Sequence, residues 1–326
     1  MILVLNCGSQ SIKWKVYDKK LKVLQQGSKD VLSSGEFESA LIAELGKITE
    51  QIDLIGHRVV HGGPNLTKPL KVTPETLQEL EKISHFAPLH NPYNLAGIKI
   101  CQKIFKEAQH FTVFDTEFFA TLPQVAYTYA LPENLGFRKY GFQGTSHQFV
   151  AKFAAKAKKV ITVHLGGGAS VTAIKNGKAI DTSMGFTPLE GLVMMTRSGN
   201  VDAGIVLELV KQLGVEGTEK MLNKESGIKG LCGESDMLKV LDMIKKGDKQ
   251  AKLAFDVFVY STQKYIGSYF AILGGCDVLI FTGSIGAGNP KTRNAISRMD
   301  ILKKTKILAI KTDEELAIAR KILKIK

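Results

Sequence analysis

Two stretches of this chain spell the same device. Ile2 to Asn6 is a short apolar strand, and Cys7-Gly8-Ser9-Gln10-Ser11 is a turn of small residues. Ile12, Trp14 and Val16 then alternate with Lys13, Lys15 and Tyr17 in a strand that returns at once. In the second half Val160 to Leu165 is apolar, Gly166-Gly167-Gly168-Ala169-Ser170 is the turn, and Val171 to Lys175 returns. The string Gly8-Ser9-Gln10-Ser11-Ile12 lines up with Gly167-Gly168-Ala169-Ser170-Val171. A repeated strand–turn–strand unit with a glycine- and serine-rich turn implies a duplicated domain. No low-complexity or Pro/Gly/Ser-rich stretch separates the copies, so the expected boundary is a hinge between packed domains.

Strands and helices alternate through the rest, which argues an α/β fold. Pro74 to Ile83 reads as a helix with Thr73 as its cap and Pro74 at its first position. Phe111 to Phe114 is a strand that ends at Asp115. Asp277 to Phe281 is a strand leading into Thr282-Gly283-Ser284-Ile285-Gly286, after which Asn289-Pro290 starts a helix. A strand, a glycine turn and a helix N-terminus leave backbone N–H groups unpaired and suit an anion. Strand Ile307 to Ile310 and helix Asp313 to Leu323 follow.

Composition narrows the function classes. The 326 residues predict two domains, at roughly 100–200 residues each. With 44% hydrophobic and 23% charged residues the chain is neither disordered nor membrane-embedded. No apolar run approaches the ~20 residues of a membrane helix, and the apolar opening has no basic segment before it. Cys7, Cys101, Cys232 and Cys276 are scattered without a pairing pattern, so reduced thiols and a cytoplasmic location are expected. The net charge of +13 favours anionic partners. The basic pairs Lys19-Lys20, Lys158-Lys159, Lys245-Lys246 and Lys303-Lys304 are dispersed and lack interleaved aromatics. They describe a solvated surface, which leaves phosphorylated metabolites ahead of nucleic acid.

The chain has no GxxxxGK[ST] loop, no protein-kinase motif set, no HExxH and no paired Cys/His spacing. Phosphoryl transfer here needs another way to supply positive charge, an oxygen-ligated divalent metal and exclusion of water. Arg58 sits in Gly56-His57-Arg58-Val59-Val60-His61-Gly62-Gly63, an apolar strand ending at a glycine pair. Arg197 lies among small residues in Thr196-Arg197-Ser198-Gly199, and His90 stands between Pro88 and Pro92. For His57 and His61 a structural role is the simpler reading, for His147 a place near a helix start, and for Asp181 and Asp202 a loop or cap.

The segments VLNCGSQSIK, GHRVVHGG, APLHNP, VFDTEFFATLP, RKYGFQGTSH, HLGGGASV, DTSMGFTPLEGLVMMTRSGN, FTGSIG and TDEELAIAR run in order from residue 4 to residue 320. In these the chain resembles the acetate and propionate kinase family, part of the sugar kinase, Hsp70 and actin superfamily. The resemblance implies two duplicated domains with a cleft between them: residues 1–118 plus 314–326, and residues 119–313, the second binding nucleotide. It implies reversible phosphoryl transfer from ATP to acetate, giving ADP and acetyl phosphate, in a homodimer that takes neither nucleic acid nor membrane as partner. It implies Mg²⁺, replaceable by Mn²⁺, held by Asn6 and Glu314. Arg58 and Arg197 would clamp the carboxylate and the phosphoryl group, with Asp115, His90 and Gln143 also catalytic. Val60, Leu89, Phe142 and Pro188 would form the methyl pocket. Lys13, His164, Leu165, Gly166, Gly167, Gly168, Asp236, Gly283, Ser284, Ile285 and Gly286 would meet the nucleotide.

Several positions depart from the family pattern. Gln143 stands for a histidine, Gly167 for an asparagine, Asn200 for an aspartate, Ala203 for a proline and Leu238 for an arginine. The segment Gly283 to Gly288 also differs, and the chain is shorter before Arg58 and between Gly286 and Glu314. These changes keep two rivals in play: a propionate or other short-chain carboxylate kinase, with ATP or another donor, and a weakened phosphometabolite-binding relative.

Overall fold

A computed structural model describes residues 1–8, 11–31, 34–88 and 90–325. Its strands are β1 (Ile2–Cys7), β2 (Ser11–Tyr17), β3 (Val23–Asp30), β4 (Leu54–Val59), β5 (Leu70–Lys71), β6 (Gln109–Phe114), β7 (Lys159–Leu165), β8 (Ala169–Lys175), β9 (Lys178–Thr182), β10 (Val278–Thr282) and β11 (Lys306–Ala309). Its helices are α1 (Phe37–Leu45), α2 (Pro74–Lys82), α3 (Asn91–Ile104), α4 (Gln124–Tyr127), α5 (Gly144–Ala151), α6 (Ala203–Lys224), α7 (Gly227–Cys232), α8 (Met237–Lys245), α9 (Lys249–Leu273), α10 (Gly283–Gly286), α11 (Pro290–Ile296) and α12 (Glu314–Ile325). The chain divides into two units. The first holds Met1–Ala120, Phe142–Phe149 and Asp313–Lys326; the second holds Thr121–Gly141 and Val150–Thr312.

The first unit is built on a sheet of order β3-β2-β1-β4-β6-β5. β1, β2 and β3 form an antiparallel meander, and β1, β4 and β6 run parallel. Side chains alternate across the sheet. Leu3, Leu5, Ile12, Trp14, Val16 and Ile55 form one core face with α1 and α3, while Ile2, Val4, Tyr17, Phe111 and Val113 pack against Ile318, Ala319 and Ile322 of α12. Thr73 caps α2, its Oγ1 accepting the Thr76 N–H at 3.2 Å.

The second unit repeats the plan. Its sheet has order β11-β10-β7-β8-β9, with β7, β8 and β9 antiparallel and β7, β10 and β11 parallel. β7, β8 and β10 are buried along almost their whole length, as strands covered on both faces should be. Cys7 and Ser11 flank the first turn, and Leu165 and Ala169 flank the second. That register matches Gly8 to Gly166, one residue earlier than the aligned strings suggest, and it gives Asn6 and His164 equivalent places. Asp202 caps α6 by accepting the Gly204 N–H at 2.7 Å, and α6 breaks at Gly214, whose φ is +71°. No helix among the described residues is long and apolar enough to cross a membrane.

Candidate active site

The first unit gathers charge at the C-terminal ends of its parallel strands. Asn6 lies on the face of β1 that carries Ile2 and Val4, and Asp115 follows β6 in phase with Phe111 and Val113. Arg58 shares that face, since Gly56, two residues back, abuts Ile318 of α12. Strand C-termini of this kind are where α/β sheets bind ligands.

Arg58 presents its planar fork to Asp115. Nε donates to Oδ1 and Oδ2 at 3.2 and 3.1 Å, and Nη2 donates to Oδ2 at 2.5 Å. Nη1 donates to Asn6 Oδ1 at 2.9 Å, and Glu314 Oε2, in the first turn of α12, lies 3.8 Å from Nε. Thr145 Oγ1 donates to Asp115 Oδ1 at 3.1 Å, and the Gly144 N–H donates to the Asp115 carbonyl at 3.0 Å. A Cβ at Gly144 would lie 2.2 Å from that carbonyl oxygen, so only glycine lets the start of α5 close onto Asp115. Burial disfavours the Arg58 charge, but Asp115 and Glu314 more than offset it and hold its pKa above the ordinary arginine value. Burial is the main cause that raises the Glu314 pKa. Asp115 and Glu315 add to the rise, and Arg58 and Lys13 oppose it.

Other expected residues lie around this cluster. Lys13 on β2 pairs with Asn6 across the β1–β2 ladder. His90 is the residue before α3, half-buried. The Val60 N–H donates to Asn94 Oδ1 at 3.0 Å, and His61 packs against Phe142 with ring centroids 5.3 Å apart. Gln143 adopts a left-handed φ of +59°, a sparsely populated conformation for a long side chain and one that collects at functional sites. Leu89 lies outside the described residues.

The second unit carries the rest. Arg197 Nη1 donates to the Pro188 carbonyl at 3.2 Å and lies 3.9 Å from Met194 Sδ. Among the described residues no carboxylate pairs with it, and burial lowers its pKa from the ordinary value. A sequestered guanidinium without a counter-ion suits an incoming anion. A cavity of about 390 Å³ is lined by Gly166, Gly167, Asp236, Ser284 and Ile285, walled by Met195, Met237 and Leu238. A Cβ on Gly166 would sit 3.5 Å from Ser284 Oγ and 3.7 Å from His164 Nε2, while one on Gly167 would meet open space. The Gly166 N–H closes the turn on the Gly168 carbonyl at 3.0 Å. Gly283 takes a φ of +79°, and a Cβ there would lie 2.4 Å from the Leu165 carbonyl. Leu165 and Gly286 are buried, Leu165 without any exposure, and neither lines the cavity. Asp236 caps α8 by accepting the Leu238 N–H at 2.7 Å.

The structure therefore brings Asn6, Arg58, Asp115 and Glu314 together on the first unit, with Lys13 beside them. It brings the two glycine turns and His164 together on the second. Arg58 and Arg197 belong to different units. Residues that sequence reasoning missed also enter. Asn91 Oδ1 accepts the His61 N–H at 3.1 Å, and Asn94 accepts from Val60, so α3 fixes the loop that follows Arg58. The spacing of Asn91 and Asn94, three residues apart at the start of α3 directly after His90, was the available signal. Thr145 left none that a sequence alone could separate from helix capping.

Two copies of one sheet topology, one bearing a charged oxygen-rich cluster and the other glycine turns opening on a cavity, define a phosphotransferase of the duplicated actin-like class. The acetokinase family's sequence profile matches residues 36–324. The chain is 42% identical to an acetate kinase of Campylobacter lari over 385 aligned positions, which cover 98% of this chain and 97% of that one. Since this chain has 326 residues, at least 59 of those 385 positions are gaps in it. The structure of an acetate kinase from Porphyromonas gingivalis is 36% identical, with a TM-score of 0.89 and coverage of 100% of this chain and 99% of that one. A propionate kinase from Francisella tularensis is 37% identical, with a TM-score of 0.89 and 98% of each chain covered. The chain belongs to the acetokinase family.

Proposed function

We propose that this protein is a carboxyl-group phosphotransferase that interconverts ATP and acetate with ADP and acetyl phosphate. One observation carries the reading: the shortened chain keeps the Arg58–Asp115–Asn6–Glu314 cluster as one hydrogen-bonded and ion-paired set. The test crosses acetate, propionate and butyrate with ATP, GTP and pyrophosphate, trapping acyl phosphate as hydroxamate. Turnover highest with acetate and ATP is expected. No acyl phosphate from any acid would leave the weakened-binder reading instead.

An acetate oxygen attacks the γ-phosphorus in line. The new O–P bond forms as the bond to the ADP oxygen breaks, and no strong base is needed. The protein's work is positioning and charge neutralisation. Arg58, pre-oriented by Asp115, and Arg197 act on the carboxylate and the phosphoryl group, with Lys13, His90 and His164 contacting phosphate oxygens. Gln143 donates an amide hydrogen bond in place of a cationic histidine. Val60, Leu89, Phe142 and Pro188 exclude water around the methyl group. The glycine turns take the donor's phosphates, and Asp236, in the same cavity, meets the nucleotide.

The donor set suits a hard divalent cation, Mg²⁺ with Mn²⁺ as substitute. Asn6 Oδ1 and the Glu314 carboxylate are oxygens, and Asp115 stands beside them. Among the described residues no three His, Cys, Asp or Glu side chains form a metal site by themselves. The ion, when bound, neutralises charge on the phosphates.

The acceptor side is assigned to residues 1–120, 142–149 and 313–326, and the donor side to 121–141 and 150–312. A homodimer is favoured by α6, whose first half, Ala203 to Leu213, has no fully buried residue; within it Leu207 is 65% exposed, and just beyond it Val215 is 71% exposed. Light scattering should give twice the mass of the chain. Four free cysteines suit the reducing cytoplasm.

A further inference from the structure

Lys15 enters none of the motifs above. It lies on β2 opposite Val4, on the sheet face that α12 covers. Its Nζ is 2.9 Å from Asp313 Oδ1 and 3.3 Å from Glu315 Oε2. Those two acids bracket Glu314. Asp313 also starts the helix: its Oδ1 accepts the Leu316 N–H and its carbonyl the Ala317 N–H, both at 3.0 Å. One ammonium, its side chain 23% exposed, thus grips both neighbours of Glu314. Burial works against the Lys15 charge, and the two acids more than offset it.

This grip matters because helix ends fray, and Glu314 sits in the first turn. Three consecutive acids also repel one another there, although the helix dipole favours acids at an N-terminus. Farther along α12, Lys321 Nζ lies 2.9 Å from Glu117 Oε2, two residues beyond Asp115. The helix is therefore tied to β2 at its start and to the Asp115 segment near its end. The charges acting most on Glu314 are Arg58, Asp115, Glu315 and Lys13. Lys15 works on its neighbours instead.

We propose that Lys15 is a positioning residue for the metal–phosphate side of the reaction: by holding Asp313 and Glu315 it fixes the first turn of α12 and with it the Glu314 carboxylate. The proposal rests on the acetate kinase reading, in which Glu314 is a metal ligand. Outer partners of a metal ligand typically change metal affinity by about 10–100-fold.

The test is a Mn²⁺ titration of the ADP-loaded protein by electron paramagnetic resonance, with hydrogen exchange of the segment 313–318 measured on the protein without metal. Lys15→Met should weaken Mn²⁺ binding by about tenfold and speed exchange in that segment, and Lys15→Arg should restore both. The triple variant Lys15→Met, Asp313→Asn, Glu315→Gln removes the grip, leaves these three positions uncharged so that no acid there needs neutralising, and keeps an asparagine to cap the helix. It should bind Mn²⁺ as poorly as Lys15→Met. Recovery of wild-type affinity in the triple variant would make Lys15 a charge neutraliser and overturn the proposal. So would wild-type Mn²⁺ affinity, or unchanged exchange, in Lys15→Met. Absence of acyl phosphate from the wild type would instead count against the acetate kinase reading, since binding and exchange are read without turnover.

Discussion

Arg58→Ala should damage stability and catalysis by separable amounts. The Asp115 side chain is 2% exposed, and its main charge partner is the Arg58 guanidinium. Removing one member of a buried pair while the other stays charged costs about 3–5 kcal/mol. Each kcal/mol moves Tm by about 2–4 °C in a domain of 150–250 residues, so a fall of roughly 6–20 °C is expected by scanning calorimetry. Catalysis should fall on the order of 10³-fold in kcat, as for other arginines acting on phosphoryl charge, or about 4 kcal/mol of barrier. The Tm loss should shrink as pH is lowered, because Glu314, its pKa already raised by burial, then takes a proton beside Asp115. Adding Asp115→Asn removes the orphaned charge and should return most of the Tm while leaving kcat low. Arg58→Ala with unchanged Tm and turnover near wild type would refute the reasoning at both levels. A double variant that recovered activity along with Tm would show that Arg58 serves the fold alone.

Arg197→Ala leaves no buried carboxylate behind, so Tm should move little while kcat drops on the order of 10³-fold; normal turnover would contradict the assignment. The buried pair His57–His110, with Nε2 and Nδ1 3.0 Å apart, predicts acid sensitivity. Burial, and for His57 also the neighbouring imidazole, depresses both folded pKa values, so the stabilisation is present above about pH 6.5 and is lost below it as the unfolded chain takes up protons. Tm should fall between pH 7.5 and 5.5 more steeply in the wild type than in His57→Asn, and parallel curves would argue otherwise. Gln143→His should raise kcat, most clearly below about pH 6.5 where imidazole is protonated; a loss at every pH in a folded variant would mark Gln143 as an adapted residue. Val60→Ala should shift kcat/KM from acetate toward propionate by no more than about 1–3 kcal/mol, and an unchanged ratio would remove Val60 from the methyl pocket.

The strands that position the site were legible because each joins an apolar run to a turn of small residues. Ile2–Cys7, Lys159–Leu165 and Val278–Thr282 all show this pattern. Thr73 with Pro74, and Asn289 with Pro290, announced their helices through cap chemistry. β3 carried no such signal: Val23–Asp30 is mostly polar and lies at the sheet edge with little burial, so neither face writes a hydrophobic alternation. The grouping of Arg58 with Asp115 and Glu314 was equally invisible to local pattern. It depends on the parallel register of β4 with β6 and on α12 returning from the far end of the chain to cover that sheet face. Thr145 and Lys15 belong to the same class, since their partners lie 30 and 298 residues away in sequence.

The repeated topology explains why the two units can hold different chemistry. With Asn6 equivalent to His164, the strand registers make Arg58 equivalent to Thr282, because Leu5 pairs with His57 as Val163 pairs with Phe281. In the first unit the adjacent strand ends bear an amide and a guanidinium that bond each other and reach Asp115. In the second unit the same places hold an imidazole and a short hydroxyl, followed by Gly283, whose backbone lies against Leu165. Long charged side chains crowd the first unit's strand ends, which on the proposed function would meet a small carboxylate and a metal. Small residues and close backbone at the second leave N–H groups and open volume, which suits the phosphates of a larger ligand. The exchange of Arg58 against Thr282 at one equivalent pair of positions, together with Asp115 and Glu314 beside Arg58, therefore separates strand ends that carry charge from strand ends that make room.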